Sequence, residues 1–156
     1  MSADARTVIA AVKTRLQLIN GAGGYVYDLS AADQVVLHAP VTPTTMPCLG
    51  VYFLDMRSEQ QAGREPLGYY RRTLRVAILG FVAGVSDSPS DRMLAAADLL
   101  DDISTALESD RTLGTSVALD VIIQGEALSG SEDDLPSTVG IVQAVAEIWW
   151  RVRTGM

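Results

Sequence analysis

Residues 69–82, YYRRTLRVAILGFV, decide how this chain folds. In the first half, Tyr70, Arg72, Leu74, Val76 and Ile78 alternate with Tyr69, Arg71, Thr73 and Arg75. A period of two is that of a strand presenting alternate residues to two different surroundings. The second half is apolar on both faces, so neither side of the strand is wholly wet. Three more stretches read as strands: Cys48 to Asp55, Val117 to Gln124, and Val139 to Arg153. In the last, Val142, Ala144, Ala146, Ile148, Trp150 and Val152 share one face, and Gln143, Val145, Glu147, Trp149 and Arg151 the other. Tyr25 to Ser30 is a short strand candidate, and Val35 to His38 is another or an extended loop. Pro40, Pro43 and Pro47 deny helix to the intervening chain.

Two helices complete the pattern. Asp4 to Asn20 repeats Ala5, Val8, Val12, Leu16 and Ile19 at helical spacing, with Ile9 beside them and Asn20 and Gly21 as the exit. The second follows the turn GVSDSPSD, with Ser88 as N-cap, Pro89 in the first helical position and Asp91 in the first turn. Its expected apolar stripe is Met93, Ala96, Leu100, Ile103 and Leu107, widened by Ala97 and Ala106. Asp98, Asp101, Asp102 and Glu108 are expected on a solvated acidic face. The fold class is α+β: an antiparallel (mixed) sheet of about four main strands with two helices packed on one face. The other face has to offer Val145, Trp149, Leu79 and Phe81 or their neighbours, to be covered by a loop or by a partner.

At 156 residues, 48% hydrophobic and 20% charged, the chain has the size and composition of one globular domain, 1–156. No run approaches the roughly 18 apolar residues of a membrane-spanning helix, and Asp4, Arg6, Lys13 and Arg15 are wrong for a signal peptide. Cys48 is the only cysteine; it reads as a small buried hydrophobe, and an intracellular setting is expected. The net charge of −7 argues against general affinity for nucleic acid.

No catalytic constellation, cofactor motif or metal site is expected. One His and one Cys offer a nucleophile no choice of base, and His38 has no second imidazole or thiolate nearby in sequence. Gly21 to Gly24 close a helix, whereas a phosphate loop opens one. Asp98 and Asp102 share a helix face but lack further ligands. Three polar groupings remain. Tyr69, Tyr70, Arg71, Arg72 and Arg75 interleave aromatics with arginines, a pattern that stacks single-stranded nucleic acid or, in an acidic chain, pairs with carboxylates of a neighbouring strand or subunit. The loop Met56 to Gly68, MRSEQQAGREPLG, far exceeds the roughly two to five residues of a hairpin. The loop GEALSGSEDDLPST crowds Glu132, Asp133 and Asp134 together.

The element order resembles the tail terminator (tail completion) proteins of long-tailed bacteriophages. The resemblance spans nearly the whole chain: a short N-terminal helix, the proline-led strand MPCLGVYFLDMRSE, a polar loop into YYRRTLRVAILGFVAG, the capped helix SPSDRMLAAADLLDDISTAL, then a strand, an acidic loop and the closing strand AVAEIWWRVRTG. It implies a virion protein forming a homohexameric ring on the head-proximal end of the tail tube, which halts polymerisation and offers the surface where the head docks. The implied partners are other copies of the chain, the tail tube protein and a head–tail connector or neck protein, with DNA only in transit and no membrane. Arg64 and Glu65 are then expected to reach a neighbouring subunit or the tube. Glu132, Asp133 and Asp134 are expected to meet Arg71, Arg72 and Arg75 of an adjacent subunit, or a neck protein. Another neck or tail structural protein, and a small ligand-binding or enzymatic α+β domain, are the alternatives.

Overall fold

A computed structural model describes residues 4–31, 33–38, 46–59, 69–83, 89–115, 118, 120–129 and 139–153, with backbone alone at 69, 89, 126–129 and 153. The elements run α1 (Asp4–Leu16), β1 (Val35–Val36), β2 (Cys48–Glu59), β3 (Tyr69–Ala83), α2 (Pro89–Glu108), β4 (Asp120–Ser129) and β5 (Val139–Arg153). The strands form one sheet in the order β1-β2-β3-β5-β4. The expected α+β architecture is present, with one short strand more than the four main ones.

The centre of the sheet is the antiparallel pair β3 and β5, matched from Tyr69↔Arg153 to Ala83↔Val139. β2 lies antiparallel on the other side of β3, and a register shift between Phe53 and Asp55 leaves Leu54 as an extra residue. β4 is antiparallel to β5. β1 adds two parallel pairs, Val35↔Leu49 and Val36↔Gly50, which make the sheet mixed. Gln34 fastens this edge: its side chain donates to the Asp28 and Pro47 carbonyls and accepts from the Ala31 amide, and its own carbonyl accepts from Leu49.

Helix α2 lies across β3, β5 and β4, and α1 packs on α2 and β1. Val8, Val12 and Leu16 of α1, with Ile19 beyond it, meet a core that includes Leu49, Leu74, Ile78, Leu99, Ile103, Ile148 and Trp150, all at most 1% exposed. Glycine lets α2 approach closely. A Cβ on Gly140 would sit 2.6 Å from the Arg92 carbonyl oxygen, and one on Gly125 would sit 2.7 Å from Leu100 Cδ1.

Several boundaries differ from the sequence reading. β2 continues through Met56, Arg57, Ser58 and Glu59, paired with Leu74 to Arg71, so the polar loop is shorter than Met56 to Gly68. A polar strand projecting past the core has no hydrophobic alternation to reveal it. β4 spans Asp120 to Ser129, through residues assigned to the acidic loop, while its expected start at Val117 lies outside the described residues. Tyr25 to Ser30 is no strand; it holds one isolated bridge, Asn20↔Asp28. α1 ends at Leu16, and Ile19 is buried by the following turn, whose Gly21 has φ 77°.

The buried stripe of α2 is rotated from the expected one. Met93 is 52% exposed and Ala97 is exposed, whereas Ala95, Ala96, Leu99, Ile103, Ala106 and Leu107 are buried. Arg92 and Asp102 belong to that buried stripe. Asp102 is therefore not part of a solvated acidic face. Its carboxylate accepts the amides of Val26 (3.1 Å) and Tyr27 (2.9 Å), pinning the loop after α1 to α2. The Tyr27 hydroxyl donates to the Ala95 carbonyl, and burial, followed by Asp98, Asp102 and Asp91, pushes its pKa up. Charge patterning hid these positions because charged residues are normally outside.

Candidate assembly surface

The pleat divides the strand residues between two surfaces. Leu74, Val76 and Ile78 face the helices together with Ala144, Ala146 and Ile148. The intervening residues form a face that no helix covers among the described residues. Cross-strand pairing stacks that face in layers. At one end Cys48, Phe81 and Val139 are buried together, with Leu79 and Ile141 against them. Burial pushes the Cys48 thiol pKa up, which keeps it a packed thiol. Next comes a hollow of about 410 Å³, lined on this face by Tyr52, Leu54, Ala77, Leu79, Gln124, Gln143 and Val145. A charged belt follows, where Arg75 lies between Asp55 of β2, 2.9 Å away, and Glu147 of β5, 3.6 Å away. Beyond it the Arg71 guanidinium lies over the Trp149 ring, 4.3 Å from the centroid.

The belt and the stack are half-exposed, with Arg75, Asp55 and Glu147 side chains at 37%, 46% and 43%. Ion pairs this wet add little to stability. They do fix a pattern of charge beside an Arg71–Trp149 stack, and arginine and tryptophan are among the residues enriched in protein interfaces. At the outer rim of the face, Asp120 at the start of β4 is held by the Arg111 guanidinium, Nε to Oδ1 at 2.7 Å. Those hydrogen bonds, aided by the Val121 amide and by charge from Arg111 and Arg71, hold the Asp120 carboxyl below the usual carboxylate range.

The pleat therefore splits the tyrosine–arginine cluster. Arg71 and Arg75 lie on the open face. Tyr70 and Arg72 point to the opposite one, where Arg72 donates to the Tyr70 hydroxyl and to Ser58 Oγ, both at 3.1 Å. Tyr69 opens β3 opposite Arg153. Arg64, Glu65, Glu132, Asp133 and Asp134 lie outside the described residues. Among the described residues, no three His, Cys, Asp or Glu side chains gather as a metal site would require. The expected pairing of the arginines with carboxylates of a neighbouring strand holds for Arg75, though the sequence names neither Asp55 nor Glu147 for it, nor the pairing of Arg111 with Asp120. For Arg75 the signal was parity, since Glu147 lies on the same strand face as Trp149.

The outer strands carry exposed apolar groups. Phe53, Leu54 and Met56 on β2 are 53%, 40% and 41% exposed, and Ile122 on β4 is 51% exposed.

No protein-family model and no curated protein matches the chain. Among solved structures, the fold is similar to that of a chain described as "Virion of native gene transfer agent (GTA) particle", with a TM-score of 0.61 and 11% sequence identity. The superposition covers 97% of this chain and 100% of that one. At that identity the likeness is one of fold.

Proposed function

We propose that this chain is a structural protein of a phage-like virion, and within it a tail terminator: a homohexameric ring on the head-proximal end of the tail tube, non-catalytic, that stops tube growth and receives the head. The observation that carries the reading is the fold shared with a virion chain along that chain's full length. The tail position rests on the element order from the first helix to AVAEIWWRVRTG, which resembles terminators. The open face supports an assembly role, since its charged belt, aromatic stack and uncharged hollow form a surface ready for another protein. Its proposed contacts are a second copy, the tube protein and a neck protein. The net charge of −7 suits a channel that DNA crosses without adhering.

Native mass spectrometry of the protein bound to purified tail tubes tests this, with about six copies expected at one tube end and a ring in negative-stain images. Copy numbers unrelated to six, or decoration along the tube wall, would overturn the terminator assignment. A second reading, a domain that binds a small ligand, draws on the hollow, whose size falls within the roughly 300–1,000 Å³ of such sites. It requires a monomer or dimer that ignores tail tubes.

A further inference from the structure

The two ends of the sheet are unlike each other, and among the described residues no further strand pairs with either. β1 covers β2 only at Leu49 and Gly50, so from Tyr52 to Glu59 β2 has β3 on one side and no strand on the other among the described residues. At the opposite end β4 pairs, among the described residues, with β5 alone. Free edges present unpaired amides and carbonyls, and exposed apolar side chains make them templates for another strand. Among the described residues, the large exposed apolar side chains of the sheet sit on these two strands: Phe53, Leu54 and Met56 on one, Ile122 on the other.

Strand direction makes the two edges compatible. β2 runs antiparallel to β3, β3 to β5, and β5 to β4, so β2 and β4 point opposite ways. A second copy that continues the sheet sets its β2 beside this β4 in the antiparallel sense, as in the interior. Self-pairing of β2 is poorer. A two-fold axis through the segment Asp55 to Glu59 would oppose Arg57 to Arg57 and Asp55 to Glu59 on the open face, and like charges directly opposite are destabilising. The β4 edge instead presents Asp120, Ile122 and Gln124 on that face.

We infer that the β2 edge of one copy pairs with the β4 edge of the next, so that one sheet runs from subunit to subunit. The contact joins two different surfaces, and such contacts repeat until rotation closes a ring. The shift between Phe53 and Asp55 breaks the ladder at Leu54, which confines regular pairing to Asp55–Glu59. This inference rests on the ring reading above and names the contact that builds the ring.

Cross-linking between two pools, each with one introduced cysteine, tests it. Arg57→Cys and Ile122→Cys both replace exposed open-face residues, and Cys48 is buried in wild type. A bis-maleimide reaching about 8 Å spans direct and diagonal cross-strand neighbours. On tail tubes, the mixed pools should give a covalent dimer that neither pool gives alone, and the double variant a ladder up to the full ring. Six copies by native mass spectrometry without a mixed-pool dimer would overturn the edge contact and leave the ring standing. Dimers within the Arg57→Cys pool alone would overturn it in favour of two-fold pairing. Absence of any assembly on tubes would overturn both readings.

Discussion

The two faces of the sheet use the same strands for opposite purposes, and the neighbours Trp149 and Trp150 show how. Trp150 is 1% exposed inside the helix-covered core, whereas Trp149 is half-buried beneath Arg71 on the open face. On the covered face, apolar side chains interdigitate with α2 so closely that Gly140 has no room for a methyl group. On the open face, attraction is divided among wet ion pairs, a cation–aromatic stack and a hollow without a charged side chain in its lining. The first arrangement stabilises the monomer. The second adds little to the monomer and leaves groups able to exchange water or a neighbour for a partner protein.

The largest effect expected is therefore an asymmetry between adjacent residues. Trp150→Ala should destabilise the chain by about 3–5 kcal/mol, because a large buried ring leaves a cavity. Trp149→Ala should cost about 1 kcal/mol or less, since its main described partner is a half-exposed arginine. Urea denaturation of the two variants decides it. Equal losses would break the distinction between faces. A silent Trp149→Ala that also fails to assemble on tubes would sharpen it.

Next in size is Asp102. Asp102→Ala strips the acceptor from two amides and should cost about 2–3 kcal/mol, as buried donors without partners are expensive. Asp102→Asn keeps one acceptor oxygen and should lose about half as much. Hydrogen exchange at the amides of Val26 and Tyr27 should accelerate in the alanine variant. Unchanged exchange there would mean that α2 does not anchor that loop.

How much of this was legible follows from where periodicity had something to act on. β3 and β5 alternate or run apolar over their whole length, and their spans were read to within a residue. The sequence supports β2 only to Asp55, because Arg57, Ser58 and Glu59 are polar on both faces outside the core; only pairing with Arg71 to Leu74 makes the end of β2 strand. The paired register of β4 begins at Asp120, two residues after Ala118, and no apolar alternation between them marks that start. The open face was legible as a surplus of apolar groups at Val145, Trp149, Leu79 and Phe81. Its charged belt is legible as arginines paired with carboxylates of a neighbouring strand, but not as Asp55 and Glu147, because the closeness of Arg75 to Asp55 depends on a bulge that no local pattern encodes. Arg64, Glu65 and the acid run Glu132–Asp134 fall outside the described residues.

A smaller effect should come from that belt. Arg75→Ala leaves Asp55 and Glu147 facing each other across β3, and should cost about 0.5–1 kcal/mol at low salt. The loss should shrink as salt rises to about 1 M, where screening acts over roughly 3 Å. A loss that salt does not change would mean Arg75 contributes through its packed methylenes.

The smallest effect expected lies at the rim and depends on pH. Hydrogen bonds from Arg111 hold the Asp120 carboxyl below its ordinary range, so the folded state favours the ionised form. A carboxyl depressed by folding lends stability above its unfolded pKa, about 3.9, and that stability fades as pH falls through the lower folded value. Arg111 is 70% exposed, so solvent screens most of the pair. Asp120→Asn should lower the melting temperature by only about 1–2 °C at pH 7. The amide oxygen of the variant can still accept from the Val121 amide, which Asp120 bonds at 2.9 Å, so the charge is the main thing removed. The gap between the two proteins should close as pH drops below about 4, because the wild type then loses the charge the variant never had. An offset that persists at pH 2–3 would show that Asp120 acts on β4 through shape and hydrogen bonding, with the ion pair contributing nothing measurable.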